Sequence, residues 1–153
     1  MRGALDDGDL AAVVGITTGD APELTPLIHD PGSAALDALQ SRGFYPINHL
    51  IVVRDEVLSA HPDLGAALFT AFAEAKSTYV AQLRADAIDT PSPTDRLNKR
   101  ILDLTGTDPL PYGIEPNRAV LDLLMQQAVA QHILHEPLPL EADFAAGTLD
   151  LTA

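Results

Sequence analysis

A nearly continuous apolar stretch at residues 47–53 is interrupted only by Asn48 and His49. Its second half is rich in β-branched residues and contains neither Gly nor Pro, which is typical of a strand buried on both faces. Such a strand has no favourable place for an imidazole or a carboxamide in its middle. The pattern therefore predicts a strand at residues 46–53, with Asn48 and His49 near the end where the chain emerges from a core.

Apolar residues that recur every three or four positions predict five helices. The predicted helices cover residues 34–40, 55–61, 62–86, 94–105 and 116–134. A second short strand is predicted at residues 10–14, and residues 22–28 read as a connector or an edge strand. On the longest helix, the predicted inward face consists of Leu64, Leu68, Ala71, Phe72, Ala75 and Tyr79. These few strands leave the sheet incomplete, because a strand buried on both faces needs neighbours on both edges.

Two loops carry candidate ligand-binding groups. In the loop at residues 15–20, Thr17 and Thr18 offer hydroxyls to a ligand, or else satisfy backbone groups of a local turn. The loop at residues 107–113 is stiffened by two prolines and carries Tyr112. This tyrosine either contacts an aromatic ligand or fastens the loop to the domain.

Composition narrows the function classes. The chain has 153 residues and 46% hydrophobic content, which is enough for one domain with a sizeable core. A net charge of −13 argues against a nucleic-acid partner, and the absence of cysteine excludes disulfides and thiolate chemistry. No secretory signal and no apolar run of membrane-spanning length is present in the sequence, so we expect a cytoplasmic protein without a membrane partner.

Three segments of the chain resemble the 4,5-dihydroxyphthalate decarboxylase family. The segments are Gly-Phe-Tyr-Pro-Ile-Asn-His-Leu-Ile-Val-Val-Arg at residues 43–54, Asp-Pro-Leu-Pro-Tyr-Gly-Ile-Glu-Pro-Asn-Arg at 108–118, and Pro-Leu-Glu-Ala-Asp-Phe at 139–144. The resemblance covers nearly the whole chain but only about the second half of a family member. It implies an α/β fold similar to type II periplasmic binding proteins, with a ligand in the cleft between two lobes.

The expected fold class is therefore a partial type II periplasmic-binding-protein-like α/β fold, rich in helices and lacking its N-terminal half. Residues 1–42 are expected to be the end of the second lobe and its crossover, and residues 43–153 the C-terminal part of the first lobe. Such a chain would expose an apolar edge, so we expect it to self-associate as a homo-oligomer.

The resemblance implies a carboxy-lyase that releases CO2 from 4,5-dihydroxyphthalate or a related hydroxylated aromatic acid. This chemistry requires a proton at the ring carbon that bears the carboxylate, and an imidazole can supply it without a metal or cofactor. His49 is the predicted catalytic residue, and its alternative is a core histidine bonded to a backbone carbonyl. The predicted substrate-binding residues are Tyr45, Asn48, Thr17, Thr18 and Tyr112. The alternative function is a non-catalytic solute-binding protein of an ABC importer, which shares the fold.

Three further residues of the last helix admit a functional and a structural interpretation. Arg118 lies in its first turn, where a cation is electrostatically unfavourable, so a structural ion pair is favoured over carboxylate binding. His132 and His135 are spaced to share a metal, but imidazoles at a helix C-terminus also interact favourably with the helix dipole.

Overall fold

The computed structural model describes residues 2–14, 24–43, 47 and 49–153. The chain divides into two compact units, Met1–Ala35 and Leu36–Ala153. The functional interest lies in the second unit, which contains all but one of the described helices in whole or in part.

The first unit contains α1 (Arg2–Asp6) and the first turn of α2 (Pro31–Arg42). Asp30 caps α2, because its Oδ1 accepts a hydrogen bond from the backbone N–H of Ser33 at 3.0 Å. The strand predicted at residues 10–14 is wrong: these residues lie outside regular structure, and Val14 is fully exposed.

The second unit is built from helices of very different length. After the end of α2 come α3 (Asp55–Ala60), α4 (Leu64–Arg84), α5 (Pro93–Thr105) and α6 (Ile114–Ala130). Two short 3-10 turns follow, at Leu140–Asp143 and Ala146–Thr148. All five predicted helices are confirmed, with ends that differ from the prediction by a few residues. α4 packs against α5 and against the turn Ala146–Thr148.

Both ends of α5 are defined by local capping interactions. The Ser92 hydroxyl accepts a hydrogen bond from the Asp95 N–H at 3.2 Å, and the Asp95 carboxylate accepts one from the Ser92 N–H at 2.8 Å. This reciprocal capping box satisfies two otherwise unpaired donors, and Pro93 occupies the first helical position. Gly106 ends the helix in the left-handed conformation, with φ of 69°.

The core of the second unit has two apolar clusters. The first joins α2 to α5 through Leu36, Leu39 and Ile101, with Leu97 packed against it. The second joins the start of α6 to the following 3-10 turn through Ile114, Leu121 and Leu140. Four partly buried side chains complete this second cluster: Ile47, Met125, Phe144 and Leu149.

The α/β fold class is wrong, because the described residues contain helices and turns but neither a strand nor a sheet. The run predicted as a central strand is not buried: Leu50, Ile51 and Val52 are 58%, 62% and 89% exposed. A strand needs a neighbour to pair with its backbone N–H and C=O groups, and the described part of the chain supplies none. With the sheet absent, the two-lobed binding-protein architecture has no support. Self-association through this exposed run stays a prediction.

The predicted inward face of α4 is also wrong, by about one position around the helix. The buried residues are Lys76, Val80 and Leu83, whereas Phe72, at the centre of the predicted face, is 43% exposed. Lys76 was not among the residues of the predicted face. In the structure Lys76 has an internal partner, so its position belongs to the buried face.

No helix in the described part of the chain is long and apolar enough to cross a membrane.

Candidate functional site

A buried lysine is the centre of the most organised polar cluster in the second unit. Lys76 projects from α4 and is only 7% exposed. Its Nζ donates to Oδ2 of Asp108 at 2.6 Å and to the backbone carbonyl of Leu110 at 3.1 Å. A buried ammonium requires such partners, because an unpaired charge in the interior is very costly. Lys76 therefore ties the loop at residues 107–113 to the middle of the longest helix.

The same ammonium lies over the aromatic ring of Tyr112. The distance from Nζ of Lys76 to the ring centroid is 4.6 Å, which is within the range of a cation–π interaction. The ring of Phe69 meets Tyr112 edge to face, with centroids 6.3 Å apart and an interplanar angle of 72°. Phe69 and Lys76 are seven residues apart on α4 and so lie on the same face, two turns from each other. The Tyr112 ring is thus held by two side chains of one helix.

The backbone of the loop is held as firmly as its tyrosine. Oδ1 of Asp108 accepts a hydrogen bond from the Leu110 N–H at 2.8 Å, which closes a local turn. The buried side-chain amide of Asn117 donates to the carbonyls of Pro111 and Gly113, both at 2.8 Å. The residues flanking Tyr112 are therefore fixed by the first turn of α6.

The loop also contacts the end of the described chain. The N–H of Tyr112 donates to the carbonyl of Ala153 at 2.8 Å, and the N–H of Ala153 donates to the carbonyl of Tyr112 at 3.1 Å. Gly113 follows with φ of 105° and ψ of 166°, a region accessible essentially to glycine alone. This backbone pair joins the loop at residues 107–113 to the segment at residues 151–153.

The hydroxyl of Tyr112 has no hydrogen-bond partner among the described residues. No buried side-chain oxygen or nitrogen lacks a partner in that part of the chain, so this hydroxyl is open to solvent. The ring is anchored while its polar end is free. Structural fastening and ligand contact are thus compatible roles for this tyrosine.

The predicted catalytic segment approaches the same region. Ile47 packs against the cluster that contains Ile114, the second residue after Tyr112. His49 and Tyr112 are each two residues from a member of this cluster, and two residues span at most about 7 Å of extended chain. His49 itself is exposed. The structure therefore brings two of the family-like segments to one apolar cluster.

Four predicted ligand-binding residues, Thr17, Thr18, Tyr45 and Asn48, lie outside the described residues. Sequence interpretation missed the residues that organise the site: Lys76, Asp108, Phe69 and Asn117. No local signal marks Lys76, because its partner Asp108 is 32 residues away in the sequence. Asp108 and Asn117 both belong to the family-like segment at residues 108–118.

A second polar network fixes α5 against α4. The Tyr79 hydroxyl donates to Oδ1 of Asp95 at 2.7 Å and accepts from the amide of Asn98 at 3.0 Å. Donation by the Tyr79 hydroxyl, followed by the side-chain and backbone bonds of Ser92, holds the pKa of Asp95 below its ordinary value. Burial is the main cause that raises the pKa of Tyr79. Both partners therefore keep the charge state that the hydrogen bond requires.

Acidification is expected to weaken this network. Because the pKa of Asp95 is lower in the folded chain, its bond with Tyr79 stabilises fully above the ordinary value of 3.8 and is lost as the pH falls through the lowered pKa. Tyr79→Phe removes this bond. We therefore expect the unfolding free energy of the variant to fall less than that of wild type between about pH 5 and about pH 2. Urea midpoints of both proteins across this range test the expectation. Parallel pH profiles for wild type and variant would contradict it.

Arg118 is engaged in a structural ion-pair cluster at the start of α6. Its guanidinium contacts Oε1 of Glu115 at 2.5 Å and Oε1 of Glu141 at 3.2 Å. Hydrogen bonds to these carboxylates, Glu115 first, raise the pKa of Arg118, and the same contacts lower the pKa of Glu115. The ion-pair interpretation of Arg118 is confirmed. The cluster borders an open groove of about 610 Å³ between α6 and the segment around Leu138.

His132 and His135 both lie beyond the end of α6. Among the described residues, no group of three or more His, Cys, Asp or Glu side chains could hold a metal ion.

Comparison with known proteins gives one informative similarity. No protein-family model matches the chain, and no solved structure matches it. The chain is 29% identical over 135 residues to a 4,5-dihydroxyphthalate decarboxylase from Comamonas testosteroni. The match covers 83% of this chain and 41% of that protein, so the chain spans less than half the length of its curated relative. A distant relative of the chain is thus a decarboxylase.

Proposed function

We propose that this chain is part of a carboxy-lyase that removes CO2 from 4,5-dihydroxyphthalate or a related hydroxylated aromatic acid. The observation that carries the proposal is the 29% identity with a 4,5-dihydroxyphthalate decarboxylase. The match leaves only about one sixth of the chain uncovered, since it covers 83% of it. A continuous match of that extent includes residues 43–54 and 108–118 wherever it begins. These are the segments that provide His49 and Tyr112.

The chemistry sets two requirements. The bond between the ring and the carboxylate carbon breaks, its electron pair stays on the ring, and a proton takes the place of the departing CO2. The proton adds to the ring carbon before CO2 leaves, with the para hydroxyl deprotonated and its oxygen in the carbonyl form. The electron pair of the broken bond then restores the aromatic ring and returns negative charge to this oxygen. A proton donor and a hydrogen-bond donor to this oxygen are therefore the minimum machinery.

The described residues offer one candidate for each requirement. His49 is exposed and provides the imidazole that we assign as the proton donor. Tyr112 has an anchored ring and a free hydroxyl, which we assign to the para oxygen of the substrate. Lys76 is not assigned a catalytic role, because its ammonium is already bound to Asp108 and Leu110.

The direct test is to incubate the purified protein with 4,5-dihydroxyphthalate. We expect release of CO2 and formation of 3,4-dihydroxybenzoate in equal amounts. Binding without turnover would favour the alternative of a solute-binding protein. If neither this chain nor a longer protein that contains it bound or converted 4,5-dihydroxyphthalate, the proposal would be contradicted.

His49→Gln is expected to reduce turnover by about a hundredfold, because a positioned general acid contributes roughly this much and glutamine cannot supply a proton. Substrate binding should be retained. Initial rates and KM measured with 4,5-dihydroxyphthalate test this expectation. The matched control is His61→Gln, which changes an exposed histidine of the same unit and should leave turnover unaltered. Equal rates for wild type and His49→Gln would remove His49 from the mechanism.

A further inference from the structure

We propose that Lys76 is a positioning residue for ligand binding and that it acts through Tyr112. The inference deepens the proposed function and rests on it for the identity of the ligand. In this role Lys76 restrains the Tyr112 ring, so the Tyr112 hydroxyl contacts the aromatic acid in one orientation.

The ammonium of Lys76 has no spare donor for a ligand. An ammonium carries three N–H groups, and two of them point to Asp108 and to the Leu110 carbonyl at 2.6 and 3.1 Å. The ammonium also contacts the face of the Tyr112 ring, whose centroid is 4.6 Å from Nζ. With its side chain 5% exposed, Lys76 is also out of reach of solvent. Any effect of Lys76 on a ligand must therefore pass through its neighbours.

Tyr112 is restrained everywhere except at its hydroxyl. Lys76 covers one face of the ring, Phe69 meets it edge to face, and Ala153 holds the backbone. A phenol restrained in this way loses little conformational entropy when it binds a ligand. Without Lys76 the ring would keep its contact with Phe69 but would gain freedom on the other face.

The neighbouring charges explain why Lys76 should not attract the substrate directly. Asp108 neutralises the ammonium at 2.6 Å, so the pair presents little net charge to a dianionic acid. Its loss should thus weaken orientation of the ligand. Because the Tyr112 hydroxyl is assigned to the oxygen on which charge develops, this predicts a lower kcat/KM.

The kinetic test compares five variants with 4,5-dihydroxyphthalate as the probe. We expect Lys76→Met to lower kcat/KM about tenfold, and Lys76→Arg, which keeps a cation, to restore most of it. Lys76→Met combined with Tyr112→Phe should show the kcat/KM of Tyr112→Phe alone, because both changes affect the same contact. Lys99→Met, which removes the other lysine of the chain from an exposed ion pair, is the matched control. Independent, multiplicative effects of Lys76→Met and Tyr112→Phe would overturn the proposal.

A spectroscopic test requires neither turnover nor a folded variant. In wild-type protein we expect nuclear Overhauser contacts between the ε-methylene of Lys76 and the Tyr112 ring, together with slow flipping of that ring. The chain has three tyrosines, which makes the assignment tractable. Absence of these contacts would overturn the positioning role even if the protein decarboxylates the probe. If these contacts are present but the protein neither binds nor converts the probe, the contact between Lys76 and Tyr112 is real and the proposed function is wrong.

Discussion

Lys76→Met is expected to lower the free energy of unfolding by about 2 to 3 kcal/mol, because it leaves the Asp108 carboxylate without a cation and the Leu110 carbonyl without a donor. Removing one partner of a fully buried ion pair costs about 3 to 5 kcal/mol. The Asp108 side chain is 28% exposed and keeps part of its hydration, which places the expected cost below that range. Methionine preserves the apolar stem of the lysine, so lost packing contributes little.

Urea denaturation followed by far-ultraviolet circular dichroism measures this change, since the second unit is helical. Lys99→Met is the control, because Lys99 pairs with Asp103 and Asp86 at the surface and should matter far less. The double variant Lys76→Met with Asp108→Asn removes the stranded carboxylate as well and should recover part of the loss. If Lys76→Met and Lys99→Met were equally stable, the buried pair would not exist in solution.

The helices were predictable because their signals are local. Ser92, Pro93 and Gly106 each act within a few residues of themselves, as a cap, a start and a stop. These signals place α5 to within one residue of the prediction. Periodicity predicted the other helices with larger errors at their ends.

The strand prediction at residues 46–53 was wrong because a strand depends on distant partners. β-branched composition shows only that a segment suits a sheet, and the sheet itself must come from elsewhere in the chain. Leu50, Ile51 and Val52 remain exposed and have no ladder partner among the described residues. Arg54, which follows the segment, has extended backbone angles with φ of −66° and ψ of 138°. A local pattern was thus interpreted as if its long-range partners were present.

The candidate site was predictable only in part for a similar reason. Tyr112 stood out because two prolines and a glycine surround it in a short loop. Lys76 did not, because 32 residues separate it from Asp108 and nothing near Lys76 in sequence indicates burial. The burial of a charged side chain follows from its partner, and the partner becomes visible only when α4 and the loop are placed together.

Gly113→Ala is expected to be the most destabilising single change in the loop, with a loss of about 3 kcal/mol or more in unfolding free energy. Two effects add at this position. The backbone has φ of 105° and ψ of 166°, which a residue with a side chain adopts only at a cost of about 1 to 3 kcal/mol. A Cβ at this position would also meet backbone atoms of residues 151 and 152, the Leu151 carbonyl oxygen and Cα of Thr152.

The clash cannot be relieved by a side-chain rotation, because the atoms it meets belong to the main chain. The segment at residues 151–153 must move away, and its movement breaks the paired hydrogen bonds between Tyr112 and Ala153. Gly147→Ala is the matched control, because a Cβ there has no atom within 4 Å and the residue lies in a short 3-10 turn. We expect Gly147→Ala to change the unfolding free energy by less than about 1 kcal/mol.

A truncation separates the two effects of Gly113→Ala. In a chain that lacks residues 151–153 the clash is gone, so the substitution should cost only the backbone strain of about 1 to 3 kcal/mol. Thermal and urea unfolding of the four proteins in this cycle give the difference directly. A cost of Gly113→Ala that is the same with and without residues 151–153 would mean that this segment does not pack on Tyr112 in solution. If Gly113→Ala lowers the unfolding free energy less in the truncated chain, then residues 151–153 hold the loop that carries Tyr112.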